Sequence, residues 1–169
     1  MDEWLDVLLS GKPGANTVLR QIDYDRYATA EAVLGWLNAA VKITAGEPLD
    51  AAEFARTLAV NLREAFKGRD AEIGHLKFAI TGGGKVMWAN VTHLAAEPAV
   101  SGEHLGKLSK GTLILNARVR IEPDLLEAIV RDSLSNLFEE TGVQYEIVDL
   151  QCFSPAYPEP PHIVRETVP

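Results

Sequence analysis

Hydrophobic and polar residues alternate along several stretches of this chain, and two of those stretches are near copies. Gly35 to Ala45 carries Leu37, Ala39, Val41 and Ile43 at every second position; Gly111 to Ile121 does the same with Leu113, Leu115, Ala117 and Val119. A period of two places each set on one face of a strand. Within them, Asn38-Ala39-Ala40-Val41-Lys42-Ile43 matches Asn116-Ala117-Arg118-Val119-Arg120-Ile121. A second pair also aligns: Glu72-Ile73-Gly74-His75-Leu76-Lys77-Phe78 with Glu146-Ile147-Val148-Asp149-Leu150-Gln151-Cys152.

Helical spacing bridges the strands of each copy. Asp50 stands as an N-cap before the stripe Phe54, Leu58, Leu62 and Ala65 or Phe66, and Gly68 lies where that helix stops. Glu122-Pro123-Asp124 opens a second stripe of Leu126, Ile129, Val130, Ser133 and Leu137, ended by Gly142. Between the copies, Gly74, Leu76, Phe78 and Ile80 face inward on one strand, and Gly82-Gly83-Gly84 turns into another over 85–94. Residues 46–50 read as a turn and 95–110 as a loop with Pro98, Gly102 and Gly106.

The order is β-α-β, an extra β, then β-α-β. Right-handed crossovers put both helices on one face of a single sheet. The expected fold is α+β: a ferredoxin-like two-layer sandwich made of a tandem βαβ repeat, with an extra hairpin strand and a mostly antiparallel sheet of about five strands. That domain spans 35–153. Residues 1–34 form an N-terminal segment with a short helix over 3–9, an alternating run from Thr17 to Ile22, and a stretch from Asp23 to Leu34 that suits either helix or strand. Residues 154–169, with Pro155, Pro158, Pro160 and Pro161, read as an extended tail.

Composition narrows the function. A chain of 169 residues buries roughly 70% of its unfolded surface without needing staples. Its net charge of -8 argues against nucleic acid as a partner. The one cysteine, Cys152, excludes an intrachain disulfide and fits a reducing cytoplasm. No apolar run reaches the roughly 20 residues of a membrane span, and the acidic start Met1-Asp2-Glu3 lacks a secretory n-region. A cytoplasmic protein is expected.

The alternation sends Trp36, Asn38, Lys42, His75, Lys77, Asn116, Arg118, Arg120, Asp149 and Gln151 to the face without helices, with Trp88 and Asn90 extending it. One reading is a solvated sheet face. Another is a binding surface built on Trp36, Asn38, Lys42, His75, Lys77, Asn116, Arg118 and Arg120, because a tryptophan among amides and cations is unlike an inert face. A third is a small enzyme with His75 as acid/base and Arg118 as anion clamp. The four histidines lack metal-ligand spacing, and no metal or cofactor is expected. Thr81-Gly82-Gly83-Gly84-Lys85-Val86 lacks the spacing of a phosphate loop, and Val86 stands where Ser or Thr would meet magnesium. No serine sits in a nucleophile elbow.

Asp23-Tyr24-Asp25-Arg26-Tyr27-Ala28, then Glu31 and Gly35-Trp36-Leu37-Asn38, and later Ile73-Gly74-His75-Leu76-Lys77, resemble the region after the nucleotide domain in some CobW-family GTPases. The resemblance covers roughly residues 1 to 153. Those proteins couple a P-loop GTPase domain to a smaller C-terminal α/β domain and are associated with metal delivery and cobalamin-related metabolism. Their P-loop, Cys-x-Cys-Cys and Lys-x-Asp motifs are missing here, so no GTPase or metal residue carries over. The resemblance implies a non-catalytic accessory module whose open sheet face contacts a P-loop GTPase, a client protein or a small anionic ligand. The alternatives are a homodimer whose sheet faces pair, or a small enzyme or ligand-binding protein using the same face.

Overall fold

The computed structural model describes residues 32–156. The elements expected before Glu31 and the tail beyond Ala156 lie outside the described residues. In chain order the elements are β1 (Gly35–Asp50), α1 (Ala51–Lys67), β2 (Ile73–Gly82), β3 (Lys85–Val91), β4 (Ala99–Gly102), β5 (Lys107–Val119), α2 (Pro123–Thr141) and β6 (Val143–Phe153). The fold is α+β, one six-stranded sheet in the order β4-β3-β2-β5-β1-β6 with every pair antiparallel. Both helices pack on one face of it, against each other as well as the strands.

The alternation determines which side chains the helices cover. Leu37, Val41, Leu113, Leu115, Ala117 and Val119 are fully buried from the two central strands. Leu76, Phe78 and Ile80 join them from β2. The expected helix stripes meet this layer: Phe54, Leu58, Leu62 and Phe66 from α1, and Leu126, Ile129, Val130, Ser133 and Leu137 from α2. Phe54 and Phe138 close the seam between the helices at 5.5 Å, and Tyr145 stacks on Phe138 at 4.3 Å. Arg63 ties the segment after β3 to α1: its guanidinium donates to the Ala96 carbonyl at 2.9 Å and pairs with Glu97 at 3.1 Å.

Local chemistry explains the ends of the elements. Asp50 accepts hydrogen bonds from the Ala52 and Glu53 amides at 3.0 Å each, filling two of the orphan donors of α1. Pro123 occupies the first turn of α2, and Gly142 takes the left-handed conformation after its last turn. Gly83 and Gly84 have φ of 59° and 76°, the paired positive values that a two-residue hairpin loop requires.

The copies align in space as they do in sequence. Asn38 pairs with its own counterpart Asn116 across β1 and β5. Lys77 pairs with Asn116 on one side, and its counterpart Gln151 pairs with Asn38 on the other. A local two-fold axis therefore passes between Asn38 and Asn116.

Three expectations change. The segment read as a loop over 95–110 contains β4 and the start of β5, giving six strands rather than about five. The segment read as a turn over 46–50 continues β1, with an irregularity between Thr44 and Leu49 that absorbs Gly46 and Pro48. Gly74 does not face inward. It is exposed in a bulge between Ile73 and His75, and Ile73 takes the buried place. Its counterpart Val148 is likewise skipped in the pairing with β1, between Asp149 and Ile147, and is 52% exposed.

Leu115 sits at the centre of this packing, paired with Ala39 and Phe78. Leu115→Ala is expected to destabilise the protein by about 2–5 kcal/mol in urea unfolding. Asp50→Ala is expected to lower the urea midpoint at neutral pH. The amide donors, Glu53 foremost, hold the Asp50 carboxyl below its ordinary 3.8. That stabilisation is present above the ordinary value and fades as pH falls through the lowered one. The gap between wild type and variant should therefore close on acidification; a pH-independent gap would contradict the cap's role.

Candidate functional site

The sheet face opposite the helices carries polar and apolar residues in ordered rows, because antiparallel pairing sets matched positions side by side. The middle row reads Asn90, Lys77, Asn116, Asn38 and Gln151 across β3, β2, β5, β1 and β6. It is a band of amides interrupted by one ammonium. One step along the central strands lies the row His75, Arg118, Trp36 and Phe153. One step the other way lies Trp88, Ala79, Ile114, Ala40 and Asp149.

The Arg118 guanidinium lies over the Trp36 ring, 3.3 Å from its centroid, and Phe153 flanks that ring at 6.0 Å. This cation–π stack holds a positive charge on the face in a defined orientation. The Trp36 indole N–H is buried without a hydrogen-bond partner among the described residues. Such an orphan donor costs free energy that an acceptor would recover. His75 stands beside Arg118 in the row, and burial foremost, then the charges of Arg118 and Lys77, lowers its pKa from 6.5. The neutral imidazole is therefore favoured over the charged one.

Six of the expected residues come together in two adjacent rows: Trp36, Arg118, His75, Asn38, Asn116 and Lys77. The other two lie apart. Lys42 is six residues along β1 from Trp36, roughly 20 Å away, and pairs with Glu146 at 3.4 Å. Arg120 follows the end of β5 in the opposite direction and pairs with Glu72 at 3.1 Å. His75 and Asp149 sit on β2 and β6, separated by β5 and β1, and form no dyad.

The third row joins Trp88, which was expected to extend the face, to a residue that the sequence reading did not single out, Ile114. Ile114 is 40% exposed and Trp88 42% exposed, with Ala79 and Ala40 between and beside them. The signal was present in the chain: Ile114 stands on the polar phase of β5, between Thr112 and Asn116. An isoleucine facing away from the helices is an anomaly that the alternation exposes.

Among the described residues no group of three or more His, Cys, Asp or Glu is placed to hold a metal ion. Cys152 turns to the helix side, where its thiol donates to the Pro123 carbonyl at 3.1 Å, and burial pushes its pKa up to about 11. It is a packed thiol, not a thiolate nucleophile. No helix among the described residues is long and apolar enough to cross a membrane.

No family model and no curated protein matches the chain. Among solved structures it is similar to a hydantoinase/carbamoylase family amidase from Burkholderia ambifaria, at 10% identity and a TM-score of 0.39 over 80% of this chain and 33% of that one. The chain thus spans about a third of that amidase's length, and a likeness this distant bears on neither site nor activity.

NMR titration is expected to place the His75 midpoint below 6.5, and Arg118→Ala to move it part of the way back, since burial remains. A midpoint at or above 6.5 in wild type would mean that burial and the neighbouring cations do not disfavour the charged imidazole as described.

Proposed function

We propose that this chain is a non-catalytic binding module on a ferredoxin-like frame, and that its open sheet face docks a partner protein. The strand order β6-β1-β5-β2, with β3 and β4 added at one edge, supports that frame, since two interleaved βαβ units produce it. The observation that carries the functional reading is the pairing of two unlike rows on one face. The apolar row of Trp88, Ala79, Ile114 and Ala40 lies beside the amide band, and the Arg118–Trp36 stack lies on its other side. Apolar area next to an oriented arginine and a tryptophan is the composition of protein-binding hot spots. A small ligand would need a deeper enclosure than a sheet face offers.

The partner class follows from the resemblance to the CobW family: a P-loop GTPase whose surface sets a carboxylate opposite Arg118 and an acceptor opposite the Trp36 indole. Metal homeostasis and cobalamin chemistry would enter through that partner, because this chain offers no ligand cluster of its own among the described residues.

The test is calorimetric titration of the full chain with the purified CobW-type GTPase of the same organism. Binding that weakens at least tenfold in Asn38→Ala/His75→Ala/Arg118→Ala, and again in Ile114→Asp, is the expected result; loss of one central arginine contact alone reaches that scale. Absence of binding, or equal binding by the variants, would sink the proposal. Light scattering on the same samples addresses the rival. A stable dimer that Trp36→Asp dissociates would assign the face to self-association instead.

A further inference from the structure

Trp88 and Ile114 remain exposed on the open face, with Ala79 between them. Three neighbouring strands carry these residues, so the row runs roughly 10 Å across the sheet. Lys77 stands two residues from Ala79 on β2, and Arg118 four residues from Ile114 on β5, both on the same face. Neither has a carboxylate partner among the described residues. An apolar strip with unpaired cations along one side suits an amphipathic, acidic segment. Two other exposed apolar side chains, Leu125 and Val148, stand next to Asp124 and Asp149, which repel such a segment.

The chain carries a segment of that chemistry. Residues 3–9 lie outside the described residues. Their sequence sets Trp4, Leu5, Leu8 and Leu9 on one stripe at helical spacing, with Glu3 and Asp6 together beside it and Asp2 just ahead. No cation occurs before Lys12. Seven helical residues are roughly 10 Å long, the length of the row. A helix so short is marginal in water by itself and gains order from an apolar surface. Reach is ample. From Gly35 to Ala40, which pairs with Ile114, β1 covers roughly 17 Å, whereas residues 10–31 span roughly 33 Å even at the rise of a helix.

We propose that residues 3–9 of the same chain lie across Trp88, Ala79 and Ile114, with their carboxylates toward Lys77 and Arg118, and that a docked partner must displace them. The apolar stripe supplies the attraction, and the acids decide which way the segment faces, because Lys77 and Arg118 flank the row on one side. The contact itself requires no partner; only the competition rests on the docking reading above.

The experiment places a nitroxide on Ser10→Cys in the full chain and follows amide NMR intensities before and after reduction of the label. Cys152 stays out of the labelling at neutral pH, since burial pushes its pKa up to about 11. Ala79, Trp88 and Ile114 are expected to lose intensity, and Arg56 on α1 and Asp132 on α2 to keep most of theirs. Leu5→Asp/Leu8→Asp should restore the lost signals, and Asp6→Lys should restore them in part. Equal loss on face and helices, or loss that persists in Leu5→Asp/Leu8→Asp, would overturn the contact. Loss that appears only when isotope-labelled chain without nitroxide is mixed with nitroxide-bearing chain would assign the segment to a second copy and equally overturn it. Calorimetry with the CobW-type GTPase then reads the competition. Leu5→Asp/Leu8→Asp should bind roughly threefold or more tightly than wild type, the factor by which a cover in place about two-thirds of the time lowers affinity. Equal binding by the two would overturn the competition. Absence of GTPase binding by both would sink the docking reading alone, with the contact still decided by the spin label.

Discussion

The pairing of β1 with β5 is the constraint from which the rest of the molecule follows. These strands are the two copies of one sequence, and they meet with Asn38 opposite Asn116. A shift of one residue would turn Leu37, Val41, Leu113 and Leu115 to water and carry Asn38 and Lys42 under the helices. Burying an unpartnered amide and an ammonium would cost several kcal/mol each, so the register has no near competitor. Once it is set, β2 adds beside β5 and β6 beside β1 by the same local rule, and both crossing helices fall on the same side. Both outer strands bulge one residue before the counterparts His75 and Asp149, at Gly74 and Val148.

The two-fold relation also shows where the copies have parted. In the core they remain alike: Leu76 and Leu150 both turn toward the helices, as do Phe78 and Cys152. On the open face they do not. Rotation about the axis carries Arg118 onto Ala40, Trp36 onto Ile114 and His75 onto Asp149. One side of the amide band is therefore cationic and aromatic, the other apolar and ending in an acid. Stability alone asks only that this face stay hydrated and unaggregated, which lysine, glutamate and threonine on both sides would satisfy. The asymmetry gives the face a direction, so that a partner docked as proposed would take one orientation rather than two.

The fold was legible where burial enforces a period. Leu37, Ala39, Val41 and Ile43 against the helices, the stripes of α1 and α2, the Asp50 cap and the Gly83-Gly84 turn all follow from spacing and residue type. The bulges escaped because alternation was carried through Gly74 without a break. The spacing itself held the clue: Ile73 to Leu76 and Ile147 to Leu150 are three residues apart, an odd step in a period of two. β4 escaped for a different reason. Ala99-Val100-Ser101-Gly102 has little strand preference of its own and is held by pairing with β3. The central residues of the face were legible from phase alone.

The edges of the sheet bear on why the face, and not a strand edge, is the surface to test. β4 is four residues long and ends at Gly102 with φ of 102°, which gives an added strand little to pair with. β6 is longer, eleven residues, and is the natural place for a second chain to add. Yet it places Glu146 and Asp149 along the edge, carries no lysine or arginine, and is bent by the bulge at Val148. Two copies meeting there in antiparallel fashion would bring carboxylates together, with only the exposed Lys42 partner of Glu146 to offset them. Edge pairing between copies is thus disfavoured by charge and by curvature. The broad face, with Ile114 and Trp88 exposed beside an oriented Arg118, has no such defence. Protection at the edge and exposure on the face together favour the face over the edge as the surface for the proposed docking.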